Sequence, residues 1–271
     1  MRLTDTVLHD CFYHPSTGLT LDPARDFGLP LYECNARLKA VRSSLDRQQQ
    51  LLWANNGPAV LVWLQGPDCS GKDGVIRNCL RGLNPQGVRV SSFAKPTEQQ
   101  RQENFLERFR QQLPPPGMLT VFNRTPYESI VSDLADGYID DAQAAGRLQQ
   151  MLAFEAQLAQ QNIHLIKVYL HISKDEQKRR LQQRFAKPEK HWKISAADLA
   201  GHRLFATIEN NWDHTFKQSS TASHPWHIVP ANNKPLRNLL FCSLLAQKLE
   251  ALNLQWPQPE LPFALEDLDI I

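Results

Sequence analysis

A chain of 271 residues, 42% apolar and 21% charged, excludes a wholly disordered polymer and is long enough to bury a core without disulfide or metal staples. Thirty Lys and Arg against 28 Asp and Glu leave a formal charge of +2, which excludes a whole-surface electrostatic grip on nucleic acid or membrane and leaves only local basic patches. The five cysteines are odd in number and show no C-x-x-C spacing, so they read as reduced thiols rather than a disulfide framework or a zinc site. The opening MRLTDTVLHD lacks the apolar stretch of a signal peptide, and the longest aliphatic run, 59–64, is too short to span a bilayer. A cytoplasmic protein is the expectation.

The first 30 residues, broken by Pro15, Pro23 and Pro30, predict irregular chain. Leu38, Val41, Leu45 and Leu52 recur at helical spacing and predict a helix from 31 to about 56, stopped by Asn56-Gly57-Pro58. AVLVWL (59–64) predicts a buried strand, followed by a Gly-rich turn and a helix to about residue 81. VRVSSF (88–93) predicts a second strand, 98–112 a polar helix ended by three prolines, and MLTVF (118–122) a third strand. A helix over 140–161, a strand over 163–172 and a very basic helix over 174–185 come next. A charged loop (186–195), a helix (196–217), a short strand (226–230), a final helix (235–252) and an acidic tail with an apolar end complete the pattern. Strands alternating with helices predict one α/β domain with a parallel sheet flanked by helices.

The strongest local signal is LQGPDCSGKDG (64–74). A strand, Gly66, four residues, Gly71-Lys72 and a helix form the layout of a phosphate-binding loop. Gly66, Ser70 and Gly71 sit where backbone amides turn inward to cradle phosphate oxygens. The following helix N-terminus adds partial positive charge, and Lys72 adds a full one. The usual Ser or Thr after the lysine is Asp73, and Asp68 lies within the loop. Carboxylates there repel phosphate unless a divalent metal stands between, so both read as metal ligands or as a base for the acceptor.

Arg124 closes the third strand, where ligands of open α/β sheets gather, and can present a bidentate fork to phosphate. Glu128 follows as a candidate metal or water ligand. The basic run 174–193 carries Arg180 and Arg184 one helical turn apart and leads into a Pro-broken loop with Trp192. It reads as a lid, about 176–200, that brings cations over polyanionic substrates. The nine histidines form no metal-spaced pair on a helix.

Together these segments resemble the polyphosphate kinase 2 family. The resemblance rests on GPDCSGKDG (66–74), NPQGVRVSSFAKPTEQQ (84–100), LPPPGMLTVFNRTPYES (113–129), HISKDEQKRRLQQRF (171–185), KPEKHWKISAADL (187–199) and SSTASHPWHIVPANNKPLR (219–237). It implies a thymidylate-kinase-like P-loop fold: a five-stranded parallel sheet, flanking helices and a helical lid. It implies phosphoryl transfer between inorganic polyphosphate and a nucleotide (AMP, ADP or GDP), with Mg²⁺ or Mn²⁺, in a homo-oligomer, dimer or tetramer. The near-neutral charge sets the expectation of no nucleic-acid and no membrane partner. Catalytic roles carry to Asp68, Lys72, Asp73, Arg124 and Arg180, and phosphate or nucleotide binding to Arg179, Arg184, Lys190 and Lys193 as well. The metal would lie among Asp68, Asp73 and Glu128. The chain departs from the family where SIVSDLADG (129–137) follows Tyr127-Glu128, with no Arg before Arg147. NFLERF (104–109) stands for an expected Trp-Arg pair, and Cys69 for Thr or Ala. These departures bear on the nucleotide pocket. Two other readings stay open: an ATP-dependent nucleotide kinase on the same fold, and a non-catalytic P-loop protein that binds polyphosphate or nucleotide.

Overall fold

Strand β1 (Ala59–Gln65) buries every residue, because its two faces feed two different cores. Val60, Val62 and Leu64 enter one core, and Ala59, Leu61 and Trp63 the other. A strand covered on both sides reads as an unbroken apolar run and belongs in the middle of a parallel sheet. The computed structural model describes residue 3, residues 5–265 and residue 267, and among these it places β1 third in a five-stranded sheet. With β2 (Val88–Ser92), β3 (Leu119–Asn123), β4 (Ile163–His171) and β5 (Trp226–Pro230), the order is β2-β3-β1-β4-β5 and every pairing is parallel. The register sets Leu64 beside Asn123, so the segments leaving β1 and β3 emerge side by side. The apolar end of the acidic tail lies outside the described residues.

Helices cover both faces. On one side α2 (Leu31–Asn55) and α3 (Lys72–Cys79) pack against α11 (Lys234–Ala251), burying Leu38, Leu45, Leu52, Val75, Leu240 and Leu244. On the other, α6 (Glu128–Ala135), α7 (Asp141–Gln160) and α10 (Phe205–Ser219) cover an aromatic core of Trp63, Tyr127, Phe154, Tyr169, Phe216 and Trp226. Asp140 opens α7 with a capping box, its side chain accepting from the Gln143 amide at 2.8 Å.

Five segments differ from the sequence pattern, one of them α6, which lies where the pattern assigns no element. The opening residues are not wholly irregular: Asp5–His9 is a short helix, α1. Residues 11–13 run antiparallel to β5, with Tyr13 N donating to Trp226 O at 2.9 Å and Ile228 N to Cys11 O at 2.6 Å. The expected helix over 98–112 is two, α4 (Glu98–Gln102) and α5 (Glu107–Arg110), because Glu103 is extended and the Asn104 side chain accepts the Leu106 amide at 2.9 Å. The loop over 186–195 contains a 3₁₀ turn, Pro188–Lys193, started by proline at its first position. The helix over 196–217 breaks at Leu204 into α9 (Ala196–Arg203) and α10. The basic helix α8 (Lys174–Phe185) forms where expected, capped by the Ser173 hydroxyl. All five cysteines are buried and unbridged.

Candidate active site

The loop between β1 and α3 lies where the chain's neighbours on either side of β1 diverge, the place where ligands of open α/β sheets bind. Gly66 is required there by close approach: a Cβ would stand 2.7 Å from the Leu170 carbonyl oxygen. Cys69 at φ +67° and Gly71 at φ +97° turn the chain back on itself. Gly71 is the N-cap of α3, and no side chain caps that end among the described residues, which leaves its first amides available to an anion. Lys72 Nζ donates to the carbonyls of Gly66 (2.6 Å) and Pro67 (3.2 Å), spanning the loop mouth. Burial pushes its ammonium below the usual lysine range, against the raising effect of Asp68. The Ser70 hydroxyl is buried and has no hydrogen-bond partner among the described residues, while its amide donates to the Pro67 carbonyl at 3.0 Å within the loop.

At the end of β3, Arg124 adopts φ +80°, a left-handed conformation that bulky residues avoid, and such strain gathers at functional sites. Its Nη1 donates to Glu128 Oε1 at 2.8 Å and its Nη2 lies 3.7 Å from Asp68 Oδ1. Glu128 begins α6, and burial raises its carboxyl above the usual range while Arg124 and Lys72 lower it. Asn123 Nδ2 donates to Asp73 Oδ1 at 3.1 Å, joining β3 to the start of α3. Behind this turn the Tyr127 hydroxyl donates to Glu155 Oε1 at 2.7 Å, and Lys167 Nζ donates to both Glu155 oxygens at 2.8 and 3.0 Å.

The basic segment closes over the loop. Lys193 Nζ donates to Asp73 Oδ2 at 2.6 Å and lies 4.8 Å from the Trp192 ring centre. That hydrogen bond holds the Asp73 carboxyl below its usual range, against burial. Arg184 reaches the Lys193 carbonyl and Asp198, each at 3.4 Å, and Lys190 lines the cleft from an exposed position. Two arginines differ from the expectation of free arms on a lid. Arg179 points outward, paired with Glu176 at 2.6 Å. Arg180, only 6% exposed, pairs with Glu176 at 2.5 Å and donates to the carbonyls of Cys69 (2.8 Å), Ser70 (3.0 Å), Ala231 (2.5 Å) and Asn232 (3.0 Å). It braces the loop from α8, because a guanidinium surrounded by carbonyls finds its donors satisfied there.

Asp68, Lys72, Asp73, Arg124, Arg184 and Lys193 line one cleft of about 1040 Å³. Its lining holds twelve Lys and Arg against seven Asp and Glu, a surplus of five, whereas the whole chain has a surplus of only two. Sequence patterning missed Arg108, Lys234 and Arg237 in that lining. Arg108 donates to the Ala94 carbonyl at 2.9 Å, with its guanidinium 4.8 Å from the Phe109 ring centre. It lies within NFLERF, so the basic member of the expected Trp-Arg pair is present. The first Arg after Glu128 does not take a place in the cleft. Arg147 reaches back from α7 to the Ser129 carbonyl and to Asp133 at 2.7 Å, bracing α6 from behind rather than lining the cleft.

The donor set suits a hard divalent cation held mainly by its substrates. Among the described residues no three His, Cys, Asp or Glu side chains gather as a metal cage. The expected trio Asp68, Asp73 and Glu128 therefore does not form one cluster, since Glu128 is held by Arg124. Asp68 and Asp73 flank the loop mouth, and one or two carboxylates completed by phosphate oxygens and water are the usual surroundings of Mg²⁺.

Comparison with known proteins agrees with this geometry. The polyphosphate kinase 2 (PPK2) family profile matches residues 32–257. The AMP/ADP-polyphosphate phosphotransferase of Meiothermus ruber is 40% identical over 223 residues, covering 82% of this chain and 84% of that protein. The ADP-polyphosphate phosphotransferase of Rhodopseudomonas palustris is 34% identical over 245 residues, covering 84% and 85%. The crystal structure of polyphosphate kinase 2 from Arthrobacter aurescens TC1 superposes with a TM-score of 0.92 at 32% identity, covering 96% of this chain and 95% of that one. The P-loop kinase fold, the basic cleft at its loop and these matches place the chain in the polyphosphate kinase 2 family, whose members transfer phosphate between polyphosphate and nucleotides.

Proposed function

We propose that this protein transfers a phosphoryl group directly between inorganic polyphosphate and ADP or AMP, with Mg²⁺ bound through Asp68 and Asp73. The observation that carries this reading is the cleft itself: a phosphate loop inside a cavity whose surplus of positive charge exceeds that of the whole molecule. Donor and acceptor are both polyanions, and the main barrier is bringing their phosphates into line. The amides at the start of α3 and Lys72 bind one phosphate chain, while Arg124, oriented by Glu128 at 2.8 Å, presents its fork to the transferred group. Mg²⁺ held by Asp68 and Asp73 would supply positive charge that offsets the repulsion between the two phosphate chains. Asp68 orients the attacking oxygen, and Lys193 carries positive charge to the loop mouth through Asp73. Lys190 and Arg184 cover the substrates and exclude water.

The test supplies polyphosphate and Mg²⁺, without ATP, to AMP, ADP and GDP in separate reactions. ADP formed from AMP, or ATP from ADP, supports the reading and sorts the acceptor. Product with GDP alone overturns the adenine assignment. No product with any acceptor, from folded protein that binds polyphosphate, overturns the catalytic reading and leaves a polyphosphate-binding protein.

A further inference from the structure

Two guanidinium groups meet the backbone of the phosphate loop, and their charges are treated differently. Arg180 is neutralised by Glu176 at 2.5 Å. Arg237, on the first turn of α11 and 3% exposed, forms no ion pair among the described residues. Its Nη1 donates to the Ser70 carbonyl at 3.0 Å, and its Nε and Nη2 donate to Asn238 Oδ1 at 3.2 and 2.8 Å. The group lies directly against the start of α3. A Cβ on Gly71 would fall 2.0 Å from Nη1 and 2.9 Å from Cζ, and one on Gly74 would fall 3.2 Å from Nη2. Only glycines allow this approach, and a buried cation without a carboxylate is unfavourable in a purely structural role.

We propose that Arg237 is a positioning residue for the phosphate loop. It fixes the Ser70 carbonyl, holds Gly71 and the first turn of α3 in the conformation whose amides bind phosphate, and adds an unneutralised positive charge behind the bound anion. The bound class is a linear phosphoanhydride, so the proposal rests on the polyphosphate reading above.

Arg237→Met, Arg237→Lys and Gly71→Ala, singly and with Gly71→Ala combined with Arg237→Met, test it. Thermal unfolding, calorimetric affinity for tripolyphosphate, and kcat and KM with polyphosphate and ADP are the readouts. Arg237→Met is expected to unfold within a few degrees of wild type, because the Ser70 carbonyl keeps Arg180 and the gain from removing a buried charge offsets the loss of both donors to Asn238 Oδ1. Its tripolyphosphate affinity and kcat are expected to fall about 10- to 100-fold, with Arg237→Lys recovering part of the loss. Gly71→Ala should displace the guanidinium and reproduce that loss, and should cost less in the Arg237→Met background than alone. Affinity and kcat within twofold of wild type in Arg237→Met overturn the proposal, as do independent, multiplying losses in the double variant. Should wild type bind tripolyphosphate yet transfer nothing, the transfer reading fails, and the affinity arm still decides the role of Arg237.

Discussion

Replacing Lys167 by Met should be the most damaging single change far from the cleft surface. The Lys167 ammonium is fully buried in the middle of β4, with Glu155 oxygens at 2.8 and 3.0 Å and the Ser219 carbonyl at 2.7 Å. The Tyr127 and Trp226 rings flank it at 5.6 and 5.4 Å. Met fills a similar volume, so little cavity is expected. What remains is a Glu155 carboxylate, itself buried, with Tyr127 as its main donor. Stranding one member of a buried ion pair costs about 3–5 kcal/mol. At a few degrees per kcal/mol for a chain of this size, the unfolding midpoint should drop by roughly 10 °C. Burial already raises the Glu155 carboxyl, and removal of Lys167 raises it further. An acid with a raised folded pKa takes up its proton in the folded state first, so stability falls as pH rises above the unfolded value of about 4.5. The deficit should therefore be largest near neutral pH and shrink toward pH 4.5. Thermal melts by circular dichroism between pH 4.5 and 8 measure this, with Lys167→Met/Glu155→Leu as the control that removes both charges and recovers most of the loss. A single variant as stable as wild type, or a double variant no better than the single, would refute the reasoning.

Lys72→Met should lower kcat at least about 100-fold while the unfolding midpoint stays within a few degrees, because Lys72 contacts only loop carbonyls and faces the cleft; near-normal turnover would remove it from the chemistry. Burial drives His227 down to about 4, so the unfolded chain binds its proton first on acidification and stability is lost between pH 6.5 and about 4. That loss should reach roughly 3 kcal/mol and vanish in His227→Asn, as read from urea midpoints across that range. Tripolyphosphate affinity should fall steeply with added salt because the surplus charge lies in one cleft, and a flat response would count against that cleft as the polyanion site.

The parts of this fold that were legible in the sequence are those written in local pattern. AVLVWL announces a doubly covered strand, and Gly66 to Lys72 announces the loop, since each depends on neighbours within a few residues. The break at 103–106 was hidden because it depends on one Asn side chain accepting one amide. Arg180 reads in the sequence as a lid arginine over the substrates, and its helical spacing says nothing about the carbonyls of residues 69, 70, 231 and 232 that surround it. Lys167 sits at an ordinary strand position, and only the fold brings Glu155 and Tyr127 to it. Arg237 sits among apolar residues near the start of α11, but the contact with Gly71 is 166 residues distant in the chain. Functional side chains on local motifs could be read; those held by long-range backbone contacts could not.

The antiparallel pairing of residues 11–13 with β5 has a consequence for how the chain is made. Cys11 and Tyr13 find their partners at Ile228 and Trp226, more than 200 residues later in synthesis. Helix α2 likewise packs against α11. During translation these early segments emerge with no docking surface, and they wait while the middle of the sheet forms behind them. The segments made first are thus among the last to reach their native places, and high sequence separation makes that closing step slow. Until it occurs, the apolar side of α2 remains exposed, which is the interval in which this protein is most open to misassembly and to chaperone capture.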